Sequence, residues 1–292
     1  MILEPGFEAW ALALSVLLHV AWNLVARHQK AESEPLWWVL LGHLVLIAPW
    51  GLWQFAHQVR WMPVMAELMA VSAAANALYF FGLQQAYRHA PVALVYPLVR
   101  SSPVLIALWA MLLFGEELGR GAWVGILISV LGLLAMAASG RSSHEGRALP
   151  WALLAMLCTS LYSTSDKIAA LHLPSLASVM GYLSVGYAAA FIALTLNLRW
   201  RTGVWMPRER PQLSAWLVGV VGIGGAYGLV IHTMRRLPAA EVVAYSNAGI
   251  VLATLVSIFV FGERHRWQAR LGAALLVAMG LVVLSRWGAL AA

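Results

Sequence analysis

Charge is what this sequence has least of. Of 292 residues only 11% are charged, and 12 are Asp or Glu. A soluble domain carries about 25% charged residues, so a fully solvated surface is excluded. Cysteine is almost absent too. The one present, Cys158, sits in an apolar run, which rules out a disulfide framework and a cysteine-based metal site. There is no phosphate-binding glycine loop, nucleophile elbow or metal-ligand spacing, and His144-Glu145 near the middle of the chain is not a zinc motif. The residues therefore point to no chemistry on a bond, no cofactor and no metal. Met1 to Glu8 carries Glu4 and Glu8 but no basic residue. A cleavable signal needs a positive start, so the first apolar run reads as a retained span.

What is abundant is apolar surface: 62% of residues are hydrophobic, with 15 Trp and 11 Met. Runs of about 20 apolar residues, the length that crosses a bilayer, occur ten times. They cover 7–26, 36–56, 64–86, 91–114, 121–139, 149–169, 176–198, 213–234, 239–261 and 269–287. The longest polar stretch, Arg199 to Gln212, is rich in Arg and Pro and reads as a loop. The net charge of +7 comes from basic residues scattered between apolar runs. That pattern fits a positive-inside membrane protein rather than a nucleic-acid face.

The ten runs divide five and five at 141–148, giving units 1–140 and 149–292. Shifting the second half by 147 residues aligns Pro91 with Pro238, Phe114-Gly115-Glu116 with Phe261-Gly262-Glu263, and Gly125 with Gly272. At a shift of 140, Trp22 falls on Tyr162 and Arg27 on Lys167. This is an internal duplication. Five is odd, so the second unit starts on the opposite side of the membrane and the halves are inverted. Inverted repeats of this kind build secondary transporters, with the substrate site near the midplane where the halves meet. The expected fold is an all-α membrane protein of ten helices around a central cavity. Odd-numbered connections carry twelve Lys and Arg and even-numbered ones six. The positive-inside rule then puts the odd connections in the cytoplasm and both termini outside.

Few polar side chains remain at depth: His19, Asn23, His43, Asn76, Gln84, Arg100, His232, Asn247 and Glu241, joined by Tyr79, Tyr96, Tyr162, Tyr227 and Tyr245. An unpaired polar group in hydrocarbon costs several kcal/mol, so each needs a partner or water. Arg100 is the sharpest, flanked by Pro97 and Pro103 and matched by Asn247 in the other half. It receives an anionic substrate group, pairs with Glu241 or Asp166, or meets a lipid headgroup. The candidate substrate site is Arg100, Tyr96, Asn247, Tyr245, Trp22, Asn23, Tyr79 and Tyr162. Proton coupling is open to His19, Glu241 or His232. Each of these three also has a plain structural reading as a bonded or capping side chain. The glycines of 219–228 serve close packing or a hinge.

The two F-G-E segments, each followed by a glycine-bearing helix, and the aromatic-then-basic end Trp22…Arg27 resemble the drug/metabolite transporter superfamily, EamA type. The resemblance covers the whole chain. It implies export or exchange of a small metabolite in a bacterial inner membrane, by a monomer or homodimer. Small multidrug members of that superfamily carry protons on an acid in their first helix, and here the first two spans have none at depth. Three rival functions stay open: flipping of a lipid-linked headgroup, broad export of cations, and a membrane enzyme.

Overall fold

The computed structural model describes residues 7–26, 33–139, 145–262 and 266–288. Thirteen α-helices account for most of them: α1 (Phe7–Ala26), α2 (Pro35–Leu46), α3 (Ala48–Gln58), α4 (Pro63–His89), α5 (Val92–Val99), α6 (Pro103–Phe114), α7 (Arg120–Ser139), α8 (Leu149–Ala170), α9 (Leu176–Thr202), α10 (Leu213–Thr233), α11 (Ala239–Ser246), α12 (Ala248–Phe259) and α13 (Trp267–Trp287). Three pairs, α2–α3, α5–α6 and α11–α12, are single columns broken near their middles, so the helices form ten columns.

The breaks have local causes. Pro103 lacks the N–H that would bond the Val99 carbonyl, and its ring crowds that turn. The chain therefore leaves α5 at Arg100 and restarts at Pro103, with Ser101 Oγ donating to the Pro97 carbonyl at 2.9 Å. Pro49 acts the same way in the second column, which bends by 54° where an unbroken span was expected. The α11–α12 break has no proline; there Ser246 Oγ turns back to the Val243 carbonyl at 2.7 Å.

Seven columns are long and apolar enough to cross a membrane, and the bent second column makes an eighth. Of the other two, α1 has a shorter apolar stretch, Phe7–Trp22. The other, α8, carries Thr159, Ser160, Ser163, Thr164, Ser165 and Asp166, all buried. Protein rather than lipid surrounds that face, so it does not need lipid-grade apolarity. The helix α9 also runs through Arg199 to Thr202, extending past the expected loop boundary.

The packing carries the duplication. Helix α1 lies on α10 as α4 lies on α8, and these pairs exchange places when one half is mapped on the other. The contacts α3–α9 and α7–α13 map onto themselves. The repeated F-G-E segments also have a backbone reason: Gly115 and Gly262 close their helices at φ 66° and 67°, a left-handed conformation that suits glycine. Glu263 and Arg27 lie outside the described residues.

Glycine sets the closest helix approaches. On α10, a Cβ at Gly219 would lie 2.4 Å from the Trp22 ring, and one at Gly224 would lie 2.4 Å from His43 Nδ1. The helix α10 is unbroken, and at Gly219 and Gly224 the missing side chain is what admits the neighbouring ring. In the α7–α13 pair, a Cβ on Gly280 would meet the Ser129 backbone nitrogen at 2.4 Å, whereas one on Gly272 would meet nothing within 4 Å. Gly280→Ala should therefore force the helices apart and destabilise by about 1–3 kcal/mol. Gly272→Ala should be neutral or stabilising by up to about 1 kcal/mol. Thermal unfolding of the detergent-solubilised variants, followed by tryptophan fluorescence, separates the two.

Candidate functional site

The two short helix ends meet at the centre of the molecule. Asn247 Nδ2 donates to the Arg100 carbonyl at 3.1 Å, and Arg100 Nη2 donates to the Ser246 carbonyl at 3.3 Å. The residue aligned with Arg100 by the repeat is thus its physical partner. The Arg100 guanidinium also lies over the Tyr96 ring, 5.6 Å from its centroid, as the one-turn spacing allows. Its Nε is buried without a hydrogen-bond partner, and no carboxylate among the described residues lies within ion-pair distance of the group. Neither Glu241 nor Asp166 neutralises it.

Arg100 lines a cavity of about 920 Å³, at the upper end of the range for small-molecule sites. The walls are mainly aromatic. Tyr79 meets Tyr162 edge-on at 5.5 Å, and Tyr162 meets Tyr227 edge-on at 5.4 Å. Trp22, Phe80, Tyr87, Tyr96 and Tyr187 complete the aromatic lining, with His19, Asn76 and Gln84 as polar additions. His19 Nδ1 lies 3.0 Å from the Ser15 carbonyl, a local bond one turn back along α1.

The cavity opens between the end of α4, the start of α2 and the end of α9, on the side of the odd-numbered connections. Glu34 at this mouth pairs with Arg88 at 3.4 Å and with Arg201, and accepts from Gln84 Nε2 at 2.5 Å. Arg208 and Glu209 also line the entrance. The opposite end is shut. There Glu8 pairs with Arg236 at 2.9 Å, and Lys167 Nζ donates to the Met234 and Leu237 carbonyls at 2.6 and 3.0 Å. Arg235 Nη1 donates to the Pro174 carbonyl at 3.2 Å, and Ser175 Oγ to Gln58 Oε1 at 2.5 Å.

Six of the candidate substrate and coupling residues line this cavity: His19, Trp22, Tyr79, Tyr96, Arg100 and Tyr162. The side chain of Asn23 lies outside the described residues. Asn247 stands behind Arg100 as its positioning partner. Three residues lie off the cavity. Tyr245 lines a shallow apolar groove against Leu12, Val16 and Leu17, because residues two apart on a helix point to different faces. Glu241 is 2% exposed in the first turn of α11, next to Gly288 at the end of α13. His232 sits at the closed end with its ring 5.8 Å from Phe7. His43 is fully buried, with Nε2 3.0 Å from Ser184 Oγ, and belongs to packing.

The lining also includes residues to which the sequence assigned no role: Asn76, Gln84, Tyr87, Tyr187 and Tyr227. A signal for two of them exists on α4, where Asn76, Tyr79, Leu83 and Tyr87 recur at intervals of three or four residues. All four line the cavity.

Comparison with known proteins agrees with this fold. The chain matches the EamA-like transporter family over residues 6–138 and again over 146–286. It belongs to that family. A curated relative, the multidrug transporter PA4990 of Pseudomonas aeruginosa, is 38% identical over 103 residues, which is 35% of this chain and 87% of the relative. One solved crystal structure superposes with a TM-score of 0.72 over 98% of this chain and 99% of its own, at 19% identity, which shows a shared fold. The protein is a multi-pass membrane transporter of the drug/metabolite superfamily.

Asn247→Ala removes the donor to the Arg100 carbonyl and should cost about 1–3 kcal/mol of stability. His232→Ala, at the closed end, should leave ligand affinity unchanged. Thermal unfolding with and without ligand measures both effects.

Proposed function

We propose that this EamA-type transporter carries a small anionic or zwitterionic metabolite with a flat apolar body, an aromatic amino acid being the model case. The observation that carries the reading is the Arg100 guanidinium: its Nε lacks a partner and no carboxylate among the described residues is in reach, in a cavity walled by rings. A buried cation costs a few kcal/mol in a bilayer, and a bound carboxylate offsets that cost. Guanidinium forks suit carboxylates, and ring edges and faces suit an aromatic side chain. Three arginines at the mouth, Arg88, Arg201 and Arg208, against Glu34 and Glu209, favour anion entry.

In this reading the cavity is caught open to the odd-numbered connections, which the positive-inside rule assigns to the cytoplasm, with both termini outside. Export then proceeds by alternating access. Substrate enters from the cytoplasm, the mouth closes around Glu34, and the Glu8–Arg236 and Lys167 contacts part at the other end.

A second reading, export of lipophilic cations, draws support from the aromatic walls and from the printed name of the P. aeruginosa relative. Thermal unfolding of purified protein separates the two. L-phenylalanine and L-tryptophan should stabilise wild type, by about 2.7 kcal/mol at a hundred times the dissociation constant. Arg100→Ala should abolish the effect and Arg100→Lys should weaken it. Stabilisation by tetraphenylphosphonium but not by the amino acids would overturn the anion reading.

A further inference from the structure

Behind the cavity's inner wall lies an acid that neither the cavity nor the ion pairs explain. Asp166 on α8 has no exposed surface. Its Oδ1 accepts from Ser72 Oγ at 2.6 Å and from the Tyr182 hydroxyl at 3.0 Å, and its Oδ2 accepts from the Tyr227 hydroxyl at 2.7 Å. No Lys, Arg or His among the described residues pairs with it. Three neutral donors supply hydrogen bonds to a carboxylate but no countercharge. Such a group within a membrane column is costly, and one that is kept demands a use.

The surroundings restrict what that use can be. The element α4 contributes Ser72 and the Leu68 carbonyl, which is taken by Ser165 Oγ at 2.9 Å. Tyr182 comes from α9, with Tyr187 nearby, its hydroxyl donating to the Ile223 carbonyl at 3.1 Å. From α10 comes Tyr227. The charged residues of the neighbouring elements are engaged elsewhere or outside: Arg88 and Arg201 on Glu34, Arg199 over the Trp205 ring, Lys167 on the α10–α11 turn, Glu241 beside Gly288, and Glu67 on the exposed side of α4. Both carboxylate oxygens are capped by short hydroxyl bonds, so a metal cation could enter only by displacing them. A proton needs no such space. Tyr227 also lines the cavity, so one hydroxyl joins the cavity to the acid.

We propose that Asp166 is a proton-binding site loaded through Tyr227. A hydronium ion in the cavity gives its proton to the Tyr227 oxygen as the phenolic proton passes to Asp166 Oδ2. The tyrosine stays neutral, water is left behind, and the carboxylate becomes a carboxylic acid. The carboxyl then donates back to Tyr227, and the buried negative charge is gone. The proton site stands on its own geometry; its coupling to cargo rests on the transport reading above.

Infrared difference spectra of the full chain in detergent, with the proton itself as the probe, test the site. Lowering the pH should raise a carboxylic C=O band in wild type that Asp166→Asn lacks and that Tyr227→Phe shifts in frequency and midpoint. A band unchanged in both variants overturns the site. If Asp166→Asn fails to fold, Tyr227→Phe decides alone, since it keeps the ring and removes only the donor. The coupling is read in vesicles loaded with a pH-sensitive dye and given L-phenylalanine. In Asp166→Asn the proton movement per phenylalanine moved should fall by an order of magnitude. An unchanged ratio overturns the coupling. Vesicles that move no phenylalanine while the infrared band behaves as expected would sink the cargo assignment and leave the proton site standing.

Discussion

Everything central in this molecule depends on two helices that fail to cross the membrane in one piece. Because α5 stops at Arg100 and α11 stops at Asn247, each presents backbone groups and one polar side chain at mid-depth, and each answers the other: an amide donates to one carbonyl, a guanidinium to the other. Irregular backbone at membrane depth is tolerated only where it is buried in protein or lines a wet cavity. Here it does both. The crossing holds the halves together on the pseudo-twofold axis and leaves a cation with an unused buried donor beside the cavity between them.

Around that crossing the symmetry is broken on purpose. The repeat makes the packing of the two halves alike, with α1 on α10 mirrored by α4 on α8. The ends differ. One is open and rimmed by Glu34 with its arginines, while the other is shut by Glu8–Arg236 and by Lys167 on two carbonyls. Exposed ion pairs each contribute about 1 kcal/mol or less. Contacts of that size can be made at one end as they are lost at the other, which is what an alternating carrier requires.

Much of this was legible in the sequence because duplication writes distances into it. The 147-residue shift places Arg100 opposite Asn247, and the structure has them hydrogen-bonded. The glycines of F-G-E repeat because both sit at positive φ, and Pro103 ends α5 where backbone chemistry says it must. What the sequence hid depends on three columns meeting. Asp166 reads as a stray acid near a helix end until Ser72, Tyr182 and Tyr227 converge on it from α4, α9 and α10. Tyr245 misled for a simpler reason: it neighbours Asn247 in sequence, but two residues along a helix is the wrong face. The break at Pro49 was visible as a proline in an apolar run, and the 54° bend is its consequence.

The central claim is that Arg100 holds the anionic group of the cargo. The most direct test is exchange of radiolabelled L-phenylalanine across proteoliposomes containing wild type or Arg100→Gln, which keeps donors and bulk but removes the charge. The account predicts exchange in wild type and a loss of at least tenfold in the variant, the equivalent of about 1.4 kcal/mol of lost binding. Equal exchange by both proteins would contradict it and make Arg100 a strut of the helix crossing.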